Sequence, residues 1–179
     1  MKTNRRRLIQ TAVTDLLQKG NINEAPIDVE RIARNLNIAV KRTPSEDDIS
    51  GFLLRHPGGQ AIIGVNTLHH PNRQRFTIAH EIGHFVLHQQ EEVHVDRSVV
   101  KLRDRASSKG EDPEEVEANG FAAELLMPAD LLSGDLARLT FTDLLDDRGM
   151  QQLAKRYQVS VQAMTNRLVS LGYLPDMNH

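Results

Sequence analysis

Apolar residues return at helical spacing in several stretches of this chain and run together in two short ones between them. From about residue 3 to residue 19, Leu8, Ala12 and Leu16 line up beside Ile9, Val13 and Leu17, which predicts an amphipathic helix closed by Gly20. A shorter helix is expected over 29–36, with Asp28 as its N-cap and Val29, Ile32, Ala33 and Leu36 on one face. Extended chain follows over 38–42. The runs 52–54 and 61–65, separated by His56, Pro57, Gly58, Gly59 and Gln60, predict a β-hairpin whose second strand is apolar enough to be buried. Over 73–88, Phe76, Ala79, Ile82, Gly83, Val86 and Leu87 recur as on a helix. Asp112 and Pro113 open another helix, whose face of Phe121, Ala122, Leu125 and Leu126 ends before Pro128. Near the end, Met150, Leu153, Ala154 and Tyr157 form one stripe, Gln158 and Val159 a turn, and Ser160 caps a helix carrying Val161, Met164, Leu168 and Leu171 before Gly172.

Composition narrows the class. The 179 residues are 39% hydrophobic and 26% charged, the proportions of a folded soluble domain with enough chain for a core. The basic start, Lys2 and Arg5 to Arg7, is not followed by a signal-peptide core, because Gln10, Thr11, Thr14 and Asp15 interrupt it, so a cytoplasmic protein with no membrane span is expected. No cysteine is present, which removes disulfides, thiol nucleophiles and Cys-ligated metal. Any metal must be held by His, Asp or Glu. The 22 basic and 24 acidic residues leave a net charge of -2, and nothing global in that balance favours nucleic acid.

The chemistry concentrates in His80-Glu81-Ile82-Gly83-His84, inside the helical pattern of 73–88. Composition alone produces an HExxH pattern in roughly one such chain in fifty, and here it also follows a strand and sits in a helix, as a metal site of this kind requires. Histidines four apart share a helix face and can aim at one ion, while Glu81 projects close enough to take a proton from metal-bound water. Catalytic zinc commonly has a third protein ligand. His88 continues the face, but eight residues put it about 12 Å along the axis from His80, too far for one ion. His94 has no supporting pattern, and the metzincin spacing fails at Leu87 and Gln90. His56, His69 and His70 suit turns, and His179 the terminus.

The acidic run Glu114-Glu115-Val116-Glu117 is the better source. Glutamates in a first helical turn serve the helix dipole, and Glu115 three residues after Asp112 resembles a capping box. Glu115 and Asn119, four apart, can equally place a carboxylate on a metal and an amide against the outer nitrogen of a ligating histidine.

Together, Arg75-Phe76-Thr77-Ile78-Ala79, the HExxH motif, and Glu115-Val116-Glu117-Ala118-Asn119 running on to Met127-Pro128 resemble the ImmA/IrrE family of metallopeptidases. Ile49-Ser50-Gly51-Phe52 and Val65-Asn66 resemble that family's hairpin. The resemblance spans most of the chain. It implies an α+β, zincin-like peptidase core over 1–135, with a helix-turn-helix-like element over 136–179 packed on it. Carried onto this chain, it makes His80, His84 and Glu115 the metal ligands, Glu81 the general base and Asn119 the partner of a ligating histidine. Glu114 and Glu117 stay as rival ligands. Zinc is the default ion and manganese is also suited to such a site.

The implied activity is a zinc endopeptidase that cuts a helix-turn-helix repressor and so releases stress-response or mobile-element genes. His88, Arg75 and Tyr157 are candidates to stabilise the oxyanion. An extended substrate is expected along the exposed edge of the hairpin, and the polar stretch 89–112 as a cover for the cleft. Lys155, Arg156 and Arg167 are too few cations for autonomous DNA binding, which is not expected. The alternatives are a non-proteolytic anti-repressor and a helix-turn-helix DNA-binding regulator.

Overall fold

The computed structural model describes residues 2–45, 49–88, 93–97, 112–137 and 147–175. In chain order these form α1 (Lys2–Lys19), α2 (Val29–Asn35), β1 (Ile38–Thr43), β2 (Ile49–Arg55), β3 (Ala61–Asn66), α3 (Pro71–Leu87), β4 (Val93–Arg97), α4 (Pro113–Leu126), α5 (Ala129–Leu136), α6 (Asp147–Tyr157) and α7 (Val161–Leu171), an α+β fold. The local signals act largely as read. Asp28 caps α2 by accepting from the Arg31 amide at 2.9 Å, and Asp112 caps α4 by accepting from the Glu114 amide at 3.0 Å, with Pro113 behind it. The left-handed residue that ends α1 is Asn21, at φ 48°, and not Gly20. An added Cβ at Gly20 would instead lie 3.2 Å from the Leu16 carbonyl, so close passage of the chain explains that glycine.

The four-stranded sheet has the order β1-β3-β2-β4. β3 runs parallel to β1 and antiparallel to β2, with Leu53 opposite Ile63 across the hairpin. Gly58 at φ 116° and Gly59 at φ 87° turn that hairpin in a backbone region that side chains disfavour. β3 is the buried strand, as its apolar run predicts, with only Ile62 partly exposed.

Two expectations are revised. The hairpin offers no open edge, because β1 lies along β3 and β4 along β2; among the described residues the sheet's edges are β1 and β4. The stretch 89–112 is not wholly loop, since 93–97 pair antiparallel with β2. Val93 and Val95 are exposed, so β4 exists for its backbone pairing rather than for burial of an apolar face. The rest of the stretch read as a cover, 89–92 and 98–111, lies outside the described residues.

α3 packs on β2 and β3 with one side and on α4 with another, and α4 packs in turn on α1. Residues 77–84 are therefore buried without interruption, which places the HExxH motif between sheet and helix. Met150, Leu153, Ala154, Tyr157, Met164 and Leu168 of α6 and α7 join the same apolar core as Phe121 and Leu125. Val161, placed on that stripe by its spacing, is instead exposed in the first turn of α7. Arg167 ties α7 to α4 by pairing with Glu124 at 2.6 Å and donating to the Met127 carbonyl at 3.0 Å, all within the buried interior.

Candidate metal centre

The motif helix is positioned at both ends. His70 caps its start, its Nδ1 accepting from the Asn72 amide at 3.2 Å, with Pro71 next. At its end Arg55, from β2, donates to the His84 carbonyl at 2.8 Å and to the His88 carbonyl, with its guanidinium 5.0 Å from the Phe85 ring centroid. Gly83 lets α4 come close: an added Cβ would stand 3.2 Å from both Ala118 Cα and Phe121 Cβ. That approach brings the first turn of α4 over the two histidines.

His80, His84 and Glu115 converge, each offering one ligand atom within 4.8 Å of the others. His80 Nε2 and His84 Nε2 are 3.1 Å apart. Glu115 Oε2 is 3.4 Å from His80 Nε2 and Glu115 Oε1 3.3 Å from His84 Nε2. Ligand atoms held about 2.0–2.1 Å from one tetrahedral ion must lie about 3.3 Å apart, so this spacing fits a single zinc-sized ion. Both imidazoles are buried and the Glu115 side chain is 37% exposed, so solvent reaches the cluster from the carboxylate side.

The three glutamates separate in space. Glu115 turns to the histidines. Glu117 meets Arg5 in a two-pronged pair, at 2.5 and 2.8 Å, and lies 3.1 Å from His88 Nε2. Glu114, with its amide on the Asp112 cap, is exposed. Asn119 Oδ1 stands 3.1 Å from His80 Nδ1, so that nitrogen donates its proton to the amide oxygen and Nε2, turned toward His84 and Glu115, carries the lone pair. Glu81 is wholly buried on the same helix, beside His80.

Of the groups considered for the oxyanion, Tyr157 is excluded, because it is buried and donates to Asp135 at 2.9 Å. Arg75 donates to the Ile27 carbonyl at 2.9 Å, and His88 is engaged by His84 and Glu117. The contact of His88 with Glu117 escaped sequence reasoning. Its available signal is the second four-residue step, His84 to His88, which puts the two rings on one helix face.

Residues 33–169 match the peptidase family described as the IrrE N-terminal-like domain. The radiation response metalloprotease IrrE of Deinococcus radiodurans is 35% identical over 117 residues, covering 64% of this chain and 32% of that protein. Its namesake in Deinococcus deserti is 37% identical over 99 residues, covering 55% and 32%. The chain thus spans about a third of the length of these curated relatives. A solved structure titled Mycobacterium tuberculosis transcriptional regulator shares the fold, with a TM-score of 0.59 at 19% identity over 90% of this chain and 55% of that one. Metalloproteases work with a metal ion, and the donor set of His80, His84 and Glu115 suits one. With 33–169 matched out of 179 residues, this chain belongs to the IrrE N-terminal-like family of metallopeptidases.

Proposed function

We propose that this chain is a zinc-dependent endopeptidase that cleaves a DNA-binding repressor of the helix-turn-helix type in the cytoplasm, releasing stress-response or mobile-element genes. The observation that carries the reading is the 3.1–3.4 Å spacing of the His80, His84 and Glu115 ligand atoms, which suits tetrahedral zinc and leaves a fourth position to chemistry. Manganese is a second ion this donor set would accept. When bound, the metal supplies Lewis acidity that activates water and polarises the scissile carbonyl.

In this reading Glu81 takes the proton from the attacking water and returns it to the leaving amine. Asn119 fixes the His80 ring so that Nε2 faces the ion. An extended substrate would lie along the outer edge of β4, since the hairpin's own edges are occupied. The division into a core over 1–135 and a helix-turn-helix-like element over 136–179 belongs to the same proposal, with α6 and α7 packing on the core. Arg167 is buried on Glu124 and Arg156 is held by Asp135 at 2.6 Å, which supports a packing role for those helices over a grip on DNA. No helix among the described residues is long and apolar enough to cross a membrane.

The test is metal analysis combined with cleavage of candidate repressors by wild type and Glu81→Gln. Both should hold one zinc, and the variant should cut slower by about 10²–10⁴-fold. A zinc-loaded variant that relieves repression as well as wild type would establish the anti-repressor alternative instead. Salt-sensitive binding of the isolated protein to specific DNA would favour the DNA-binding regulator.

A further inference from the structure

His84 presents Nε2 toward His80 and Glu115, and its other nitrogen, Nδ1, lies 3.2 Å from Nδ1 of His88. His88 Nε2 is in turn 3.1 Å from Glu117 Oε2, and Glu117 is clasped by Arg5. Only one proton arrangement satisfies that line with neutral rings. A carboxylate oxygen accepts, so His88 carries its proton on Nε2; its Nδ1 then accepts from His84 Nδ1–H, and His84 Nε2 keeps a lone pair. This is the tautomer a metal ligand needs.

The geometry that holds His88 in place comes from several elements. His88 leaves the helix at φ -124°, while its amide still donates to the His84 carbonyl at 3.0 Å. Arg55 of β2 grips both carbonyls. Glu117 comes from α4 and Arg5 from α1, which lies before the matched residues 33–169. His80 is met by the amide of Asn119, and His84 by a line of three side chains, His88, Glu117 and Arg5.

We propose that His88, held by Glu117 and Arg5, is a positioning residue that fixes the tautomer and orientation of His84 for metal binding. The inference rests on the metal-centre reading above. A ligating histidine whose outer nitrogen is bonded is both a pre-oriented and a stronger ligand, and losing such a partner costs about 10–100-fold in metal affinity.

The experiment measures the zinc dissociation constant by competition with a chromophoric chelator, with folding followed by circular dichroism. His88→Phe keeps the ring volume and removes the acceptor; it should bind zinc about 10–100-fold more weakly. His88→Asn restores an acceptor near the position of Nδ1 and should recover most of that loss. A residue that merely fills space would show the reverse order, and wild-type affinity in His88→Phe overturns the proposal. His84→Ala distinguishes a misplaced metal centre from a failed positioning role. If it too binds zinc like wild type, the metal centre itself is misplaced; if it alone loses zinc, only the positioning role fails.

A readout on the wild-type protein avoids any folding defect. In the long-range proton–nitrogen spectrum of the zinc-loaded protein, His88 should carry its proton on Nε2 alone. A proton on Nδ1, with or without one on Nε2, overturns the proposal.

Discussion

Asp135 collects two donors from α6, the Tyr157 hydroxyl at 2.9 Å and Arg156 Nε at 2.6 Å, and so anchors a ring that is otherwise wholly buried. Burial first, and then Asp135, push the Tyr157 hydroxyl well above its ordinary value of 10.0. The native state therefore keeps a proton that the unfolded chain gives up above that value. By linkage, the stability this contributes is fully present below pH 10 and is lost as pH rises beyond it. Urea unfolding from pH 8 to 11 should show wild-type stability falling in the alkaline range, while Tyr157→Phe, weaker at pH 8 for want of the hydrogen bond, falls less. Parallel curves for the two proteins would refute this account. A Tyr far along the chain from the HExxH motif invites a catalytic reading from sequence; its partner shows it to be a core residue.

At the scale of elements, the decisive contact is between α3 and α4. Gly83 stands where the helices nearly touch, with Ala118 Cα and Phe121 Cβ each 3.2 Å from the place of a Cβ. Those atoms move only if the helix moves. Gly83→Ala should be close to neutral, because about 1 kcal/mol of helix propensity offsets the tight contact. Gly83→Val cannot be absorbed in that way and should cost about 1–3 kcal/mol, with weaker metal binding as Glu115 is displaced from His80 and His84. Denaturant unfolding and chelator competition on the same samples check both effects; a valine variant as stable as wild type would show that α4 is free to shift. The spacing of Glu115 and Asn119 was readable as one helix face, but the capping-box alternative was equally readable. The choice depends on which helix lies opposite, and no local pattern carries that information.

For the whole molecule, the proposed metal site joins parts of the chain more than thirty residues apart, His80 and His84 on α3 with Glu115 on α4. A ligand that binds only the native state stabilises it by mass action, about 2.7 kcal/mol at a hundred times the dissociation constant. For a chain of this length the thermal midpoint should rise by about 5–10 °C with zinc and return with a chelator. His80→Ala should show no such shift. Equal zinc shifts in the two proteins would place the ion elsewhere.

The helices, their caps and the hairpin were legible in the sequence because their causes are local: apolar residues at periods of 3.6 or 2, an Asp or Ser before a first turn, a pair of glycines between strands. So was the HExxH pair, since two histidines four apart share a face wherever the helix lies. Tertiary structure alone decided what depends on a distant neighbour. It assigned β4 to the outer edge of β2, gave Glu115 to the histidines and Glu117 to His88, and buried Arg167 beneath Glu124. Each of those outcomes turns on which surface a side chain or backbone edge meets, and packing brings those surfaces together across sequence separations that no periodicity spans.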